Sequence, residues 1–272
     1  MNNSDTTPLP FRMNLQKIVA RQLEDYDRRK PGTIFSDPDF RPGIEDAYQL
    51  QFEVARLREL RGERVAGYKI GCISRTMQDQ LGLDRPVFGH VWASELRSSG
   101  AVLDMASFDG LAIEGEFAVR LAADVPSAVW LKENPEAFSA GFIVIEIHNY
   151  VFRGRSVNRA SELIANNAIH AGVVLPVEET SLKNADAMLD ASLRVLRNGE
   201  VLGVGSGQQL EGGPLASVLR LVEHLEKHGR RLLRGHIVLT GSPLPLWQVS
   251  AGDRIEVRCD PFGKAATAVA QG

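Results

Sequence analysis

The chain has 272 residues, with 31 Lys and Arg against 34 Asp and Glu, a formal net charge of −3 and a pI near 6.1, so it offers no basic field for nucleic acid. No apolar run approaches the roughly 20 residues that span a bilayer, and the polar start lacks the apolar core of a secretory leader. The only two cysteines, Cys72 and Cys259, form no C-x-x-C pair, which points to a reducing cytoplasm rather than a disulfide framework.

In chain order, residues 14–27 space Leu15, Ile18, Val19, Leu23 and Tyr26 as a helix that Pro31-Gly32 stops. A Pro- and Asp-rich loop then leads to a second helix over 44–61, with Ala47, Leu50, Val54 and Leu57 as its buried stripe and Gly62 as its terminator. Residues 65–71 read as a short strand with Lys69 inside it, and Ser74 is placed to cap a helix over 75–81. Lys69 is either an edge-strand lysine that discourages aggregation or a cation serving a site. The stretch from 84 to 109 suggests loops and brief strands, with His90 and Trp92 as structural residues.

The chemistry concentrates next. Ile113-Glu114-Gly115-Glu116-Phe117 is an apolar strand in which period-two alternation puts Glu114 and Glu116 on one face and Ile113, Gly115 and Phe117 on the other. In residues 141–148 the isoleucines at 143, 145 and 147 share a face, leaving Phe142, Val144 and Glu146 opposite. An E-x-E on a strand can be a solvated face. An acid closing so apolar a run is harder to place in water, and three partly buried carboxylates repel one another unless a divalent cation compensates them. Oxygen-only ligation by Glu114, Glu116 and Glu146 suits Mg²⁺ or Mn²⁺.

Beyond the acids, residues 134–140 are expected to form a short helix. Residues 149–172 are expected to form a long irregular segment containing Arg153, Arg155 and Asn166-Asn167. Asn198-Gly199 marks a hairpin between 192–197 and 200–204, and residues 203–207 read as a glycine-rich turn with close backbone approach. An amphipathic helix over 215–227 ends at Gly229, followed by strands at 236–240 and 254–259 around a Pro-rich turn at 242–245. Strands outnumber helices without strict βαβ alternation, which predicts an α+β fold with a mixed or antiparallel core and peripheral helices. The expected division is a helical region over 1–62 and a catalytic β-roll over 63–272.

Taken together, Gly67-Tyr68-Lys69-Ile70-Gly71, Gln80-Leu81-Gly82-Leu83-Asp84, Glu114-Gly115-Glu116-Phe117-Ala118, Ile145-Glu146-Ile147, Val238-Leu239-Thr240-Gly241 and Ala251-Gly252-Asp253 resemble the hydratase/decarboxylase branch of the fumarylacetoacetate hydrolase family. The resemblance runs from about residue 44 to 266. It implies a mixed β-sandwich or roll with peripheral helices, a divalent metal on Glu114, Glu116 and Glu146, Lys69 as catalytic residue, and Thr240 and Gly241 lining the substrate pocket. It also implies a cytoplasmic homo-oligomer serving the catabolism of aromatic compounds. The expected reaction is hydration of a 2-keto-4-pentenoate-like 2-oxo or 2-hydroxy-dienoate. The alternatives are decarboxylation of a 4-oxalocrotonate-like 2-oxo diacid and a non-catalytic scaffold; acylpyruvate hydrolysis ranks below these. Three positions depart from the family pattern: Val87 and Asn149 stand where hydratases commonly carry Asp, and Asn166 replaces the Asp of an Asp-Asn pair. The apolar Val87 moves weight towards decarboxylation.

Overall fold

The computed structural model describes residues 9–182 and 184–272. Six α-helices are found among them: α1 (Leu9–Asp27), α2 (Ile44–Leu60), α3 (Arg75–Leu81), α4 (Ala128–Glu133), α5 (Arg159–Ala165) and α6 (Gly213–Lys227). The strands are β1 (Val65–Gly71), β2 (Val87–Trp92), β3 (Leu96–Ser98), β4 (Val102–Asp104), β5 (Leu111–Leu121), β6 (Phe138–Asn149) and β7 (His170–Leu175). They continue as β8 (Thr180–Ser181), β9 (Ser192–Arg197), β10 (Glu200–Ser206), β11 (Ile237–Leu239), β12 (Trp247–Gln248), β13 (Arg254–Cys259) and β14 (Gly263–Ala270).

Two mixed sheets organise them, as the α+β roll requires. The nine-stranded sheet runs β2-β1-β11-β5-β6-β7-β3, with β12 added to β5 and β8 to β6. The five-stranded sheet runs β10-β9-β13-β14-β4. The second sheet packs on the β5–β6 ladder so closely that a methyl group on Gly115 would lie 2.6 Å from Val195 Cγ2 and 3.1 Å from Val257 Cγ2. Ile113 and Phe117 share that dry face and are fully buried. Burial of such side chains is worth about 1.5–3 kcal/mol each, which fixes the register and turns the acids the other way.

The N-terminal helices join the same hydrophobic core through Ile18, Val19, Leu50 and Val54. Gln51 of α2 donates to the carbonyls of Phe88 at 2.9 Å and Ile164 at 2.7 Å, tying β2 to α5. His90 and Trp92 are buried in β2: His90 sits edge-on to Phe52, and the Arg58 guanidinium lies 4.0 Å from the Trp92 ring. The hairpin forms at Asn198-Gly199 with positive φ at both residues. Both cysteines are free. Among the described residues, no helix is long and apolar enough to cross a membrane.

Three local expectations are corrected. The short helix expected over 134–140 is confined to a 3₁₀ turn at Pro135–Ala137, preceded by α4, where the Ser127 hydroxyl accepts from Trp130 N–H at 3.1 Å; Phe138 already pairs with Leu121 in the sheet. The segment 149–172 is not irregular throughout, because it contains α5 and the start of β7. The glycines at 203 and 205 sit within β10, not in a turn. The close approach holds: a Cβ on Gly203 would lie 3.2 Å from both Leu244 Cδ2 and Trp247 Cη2.

Candidate metal centre

The β5–β6 register sets Glu114 directly opposite Glu146, Glu116 opposite Val144 and His148 opposite Ala112. All four polar side chains therefore project from the face turned away from the five-stranded sheet. Apolar residues Ala118, Phe142, Val144, Val173 and Leu239 continue that face as a separate buried cluster, so the acids stand at the border of a dry patch.

Two of the acids have one oxygen held by the protein and the other free. Glu116 Oε2 accepts from the Gly241 backbone N–H at 3.0 Å, while its Oε1 has no partner. Glu146 Oε1 lies 2.7 Å from His170 Nδ1 and 3.2 Å from Lys69 Nζ, while its Oε2 has no partner. His148 Nε2 comes within 3.0 Å of Glu114 Oε2 and 3.7 Å of Glu146 Oε2, yet neither ring nitrogen makes a hydrogen bond. Donor atoms of Glu114, Glu146 and His148 all lie within 4.8 Å of one another. Buried polar atoms without partners are costly, and this set of converging lone pairs fits a divalent cation. Octahedral ligands at about 2.1 Å stand about 3.0 Å apart when cis and about 4.2 Å when trans.

Lys69 is 3 % exposed and lies inside the sheet between β2 and β11, which removes the edge-strand reading. Its ammonium also donates to the Ala168 carbonyl at 3.3 Å. Burial would lower the lysine pKa, but Glu146, Glu116 and Glu114 raise it above the ordinary value, which favours the ammonium form. Burial together with the charges of Glu146 and Glu114 raises the Glu116 carboxyl well above the usual range. Glu146 goes the other way: burial opposes its charge, but Lys69, His148 and His170 hold it below the usual range. Two carboxylates on adjacent strands thus have opposite protonation tendencies, and the difference is the company each keeps.

The remaining sequence candidates fall in different places. Gly241 touches the centre through its N–H. Thr240 is fully buried and its hydroxyl donates to the Phe117 carbonyl at 3.0 Å. Val87 flanks the lysine head: a methyl on Gly71 would lie 3.0 Å from Lys69 Nζ and 3.5 Å from Val87 Cγ2. Asn149 accepts from the Asp109 backbone N–H at 2.9 Å, and Asn166 meets Gln22 of α1.

The sequence reading missed His148, His170 and the turn at 167–169. Alternation places His148 on the face of Glu146, two residues on, so that signal was present. His170 has no such signal. It links Glu146 outward to Glu95, whose Oε2 lies 3.7 Å from His170 Nε2 and whose Oε1 accepts from Arg58 at 3.0 Å and from the Tyr26 hydroxyl. Asn167, Ala168 and Ile169 are all left-handed, a strained run that aims the Ala168 carbonyl at Lys69. The Asn167 side chain holds the run in place by donating to the His90 carbonyl at 2.8 Å and accepting from His90 N–H at 2.7 Å.

Comparison with known proteins meets this geometry. The model of the fumarylacetoacetate (FAA) hydrolase C-terminal family matches residues 63–270. The chain belongs to the fumarylacetoacetate hydrolase family. It is 31 % identical to a 2-keto-4-pentenoate hydratase of Burkholderia vietnamiensis, covering 80 % of this chain and 82 % of that one. It is 27 % identical to a 4-oxalocrotonate decarboxylase of Pseudomonas putida, covering 92 % and 93 %. In fold it is similar to the 4-oxalocrotonate decarboxylase from Pseudomonas putida G7 complexed with magnesium and adipate, with a TM-score of 0.82 and 24 % identity over 94 % of this chain and 98 % of that one. The α+β roll is thus the family fold, and hydratases and decarboxylases both stand among its relatives.

Proposed function

We propose that this chain is a metal-dependent lyase acting on a 2-oxo or 2-hydroxy-dienoate, with hydration of a 2-keto-4-pentenoate-like substrate as its reaction. The observation that carries this reading is the convergence of donor atoms from Glu114, Glu146 and His148 within 4.8 Å, on the face that also carries the buried Glu116, beside an ammonium 3.2 Å from Glu146. Glu114, Glu116 and Glu146 would hold Mg²⁺ or Mn²⁺, which would supply a Lewis acid to the C1 carboxylate and C2 oxygen of the substrate.

The protein's own groups do the rest. The 2-hydroxyl gives up its proton as the dienolate forms; the Lys69 ammonium neutralises the charge on that oxygen and gives a proton to the terminal carbon C5. The proton released from the hydroxyl restores the ammonium, after which water adds at C4 of the unsaturated ketone. Positioned acid-base help of this kind is worth about 10²–10⁴-fold. Gly241 orients Glu116 through its N–H and Thr240 fixes that turn through the Phe117 carbonyl; the family resemblance would put this pair at the edge of the substrate pocket. Phe142, Val144 and Leu239 keep the neighbouring surface dry. A soluble cytoplasmic homo-oligomer acting in aromatic catabolism is the setting this chemistry suits.

Val87 favours a second reading, decarboxylation of a 4-oxalocrotonate-like diacid. An apolar side chain beside Lys69 brings no second acid to steer water there. Loss of CO₂ leaves the same dienolate, so one centre serves either reaction.

The test is turnover of 2-hydroxypenta-2,4-dienoate and of a carboxyl-labelled 2-oxohexenedioate, with Mn²⁺ present and with chelator. Hydration is expected in the wild type and lost with chelator, and Lys69→Met is expected to retain Mn²⁺ while losing about 10²–10⁴-fold in rate. Labelled CO₂ without hydration selects decarboxylation. Saturable Mn²⁺ binding without turnover of either substrate would make the chain a scaffold.

A further inference from the structure

The reading above assigns the cation to oxygen ligands alone. We propose that His148 is an additional, nitrogen ligand of that cation, and that it makes the centre selective for a transition-metal ion such as Mn²⁺ or Co²⁺ over Mg²⁺. This rests on the carboxylate centre of the proposed function and deepens it.

His148 follows Glu146 by two residues on β6, so strand alternation puts both on one face, and the ladder sets His148 across from Ala112, next to Glu114. Ala112 is small, which leaves the imidazole free to lean along the ladder. Its Nε2 lies 3.0 Å from Glu114 Oε2 and 3.7 Å from Glu146 Oε2, separations expected of donors sharing one ion rather than of groups on separate errands.

His148 is 1 % exposed and both of its ring nitrogens lack a hydrogen-bond partner. A buried imidazole in a protein interior donates from one nitrogen and accepts at the other. His170, a strand away, has one nitrogen engaged, its Nδ1 by Glu146 at 2.7 Å, while its Nε2 makes no hydrogen bond; His148 has neither engaged. His170 orients a ligand from outside, whereas His148 points a lone pair inward. The pairing of an inner imidazole with an outer one on the same carboxylate is the arrangement by which ligating groups are oriented and tuned.

Ligand chemistry gives the consequence. Mg²⁺ is a hard cation that keeps oxygen ligands and water, whereas imidazole suits later divalent ions, whose affinity rises from Mn²⁺ through Co²⁺. One nitrogen in place of one water therefore raises affinity for Mn²⁺ and Co²⁺ and leaves Mg²⁺ behind.

The experiment uses the full chain loaded with Mn²⁺. Pulsed electron paramagnetic resonance reads nitrogen bonded to manganese, and calorimetry with Mn²⁺ and Mg²⁺ gives the selectivity. The wild type is expected to show a coupled nitrogen that persists in His170→Gln and is lost in His148→Val and His148→Gln. The Mn²⁺ to Mg²⁺ affinity ratio is expected to fall at least about tenfold in the His148 variants. Glu114→Gln should weaken both metals together. Mn²⁺ bound by the wild type with no coupled nitrogen overturns the proposal and leaves the carboxylate centre standing, and this holds even if the His148 variants do not fold. An unchanged ratio in folded His148 variants does the same. Absence of Mn²⁺ binding by the wild type overturns the carboxylate centre itself, and His148 with it.

Discussion

The two faces of the β5–β6 ladder are made from the same residues in alternation, and they behave as different materials. One face presents Ile113, Gly115, Phe117, Ile143, Ile145 and Ile147, all apolar, against the five-stranded sheet. The other presents Glu114, Glu116, Glu146 and His148, with the Lys69 ammonium reaching in from β1. Close packing on the first face is what allows poor solvation on the second. The sheet cannot flip or slip a register without placing isoleucines where the acids are, so the acids stay buried at a cost that packing across the ladder offsets.

The largest blow to this arrangement is Glu146→Gln. It removes the charge that Lys69 and His170 both approach and leaves an ammonium buried without its nearest counter-ion. Breaking a buried pair from one side costs about 3–5 kcal/mol. The expected result is loss of that stability by urea denaturation of the metal-free protein, together with loss of Mn²⁺ binding by calorimetry. Unchanged stability would mean that Lys69 finds water once Glu146 is gone, and that the acid face is wetter than its burial indicates.

A smaller effect separates the acid face from the rest of the molecule by pH. His90 and His224 lie outside the centre; burial chiefly pushes both down to about 3, with Arg230 adding to the effect on His90 and His228 to that on His224. In the folded protein each stays neutral down to that value, whereas in the unfolded chain each takes a proton near 6.5. The unfolded state therefore binds more protons between about 6.5 and 3, and stability falls as pH is lowered through that window. At about 1.36 kcal/mol per unit, each histidine removes about 2 kcal/mol between pH 7 and pH 5. Denaturation of the metal-free chain at these two pH values should show that loss, and His224→Gln should remove about half of it. A flat profile would show that these imidazoles reach water in the folded state.

How much of this could be read from sequence depends on whether the cause was local. Glu114, Glu116 and Glu146 were legible because period-two alternation and apolar neighbours are properties of a single strand. Lys69 was legible as a candidate, but its charge state needed the acids from β5 and β6 around it. His148 obeyed the same alternation and was passed over because a polar residue at a strand end is ordinarily solvent-facing. The turn at 167–169 could not be read: nothing in Asn-Ala-Ile specifies three left-handed residues, and what holds them comes from elsewhere in the chain, the Asn167 bridge to the His90 backbone and the Lys69 ammonium on the Ala168 carbonyl. Helix α5 was missed because seven residues form a helix only when packed, here against α2.

The smallest perturbation falls on the opposite face. Gly115 has no side chain because the five-stranded sheet occupies its place: an added methyl would meet Val195 Cγ2 at 2.6 Å, with Val257 Cγ2 at 3.1 Å and Leu193 Cδ2 at 3.2 Å. Those valine methyls sit on short, branched side chains with one favoured rotamer, so relief must come from separating the sheets slightly. Gly115→Ala is therefore expected to cost about 1–3 kcal/mol in denaturation. Mn²⁺ affinity should stay near that of the wild type, because the neighbouring Glu114 and Glu116 keep their face and register. A loss of Mn²⁺ binding equal to that of Glu146→Gln would show that the ladder transmits strain from one face to the other, and that the dry side sets the spacing of the acids as well as their direction.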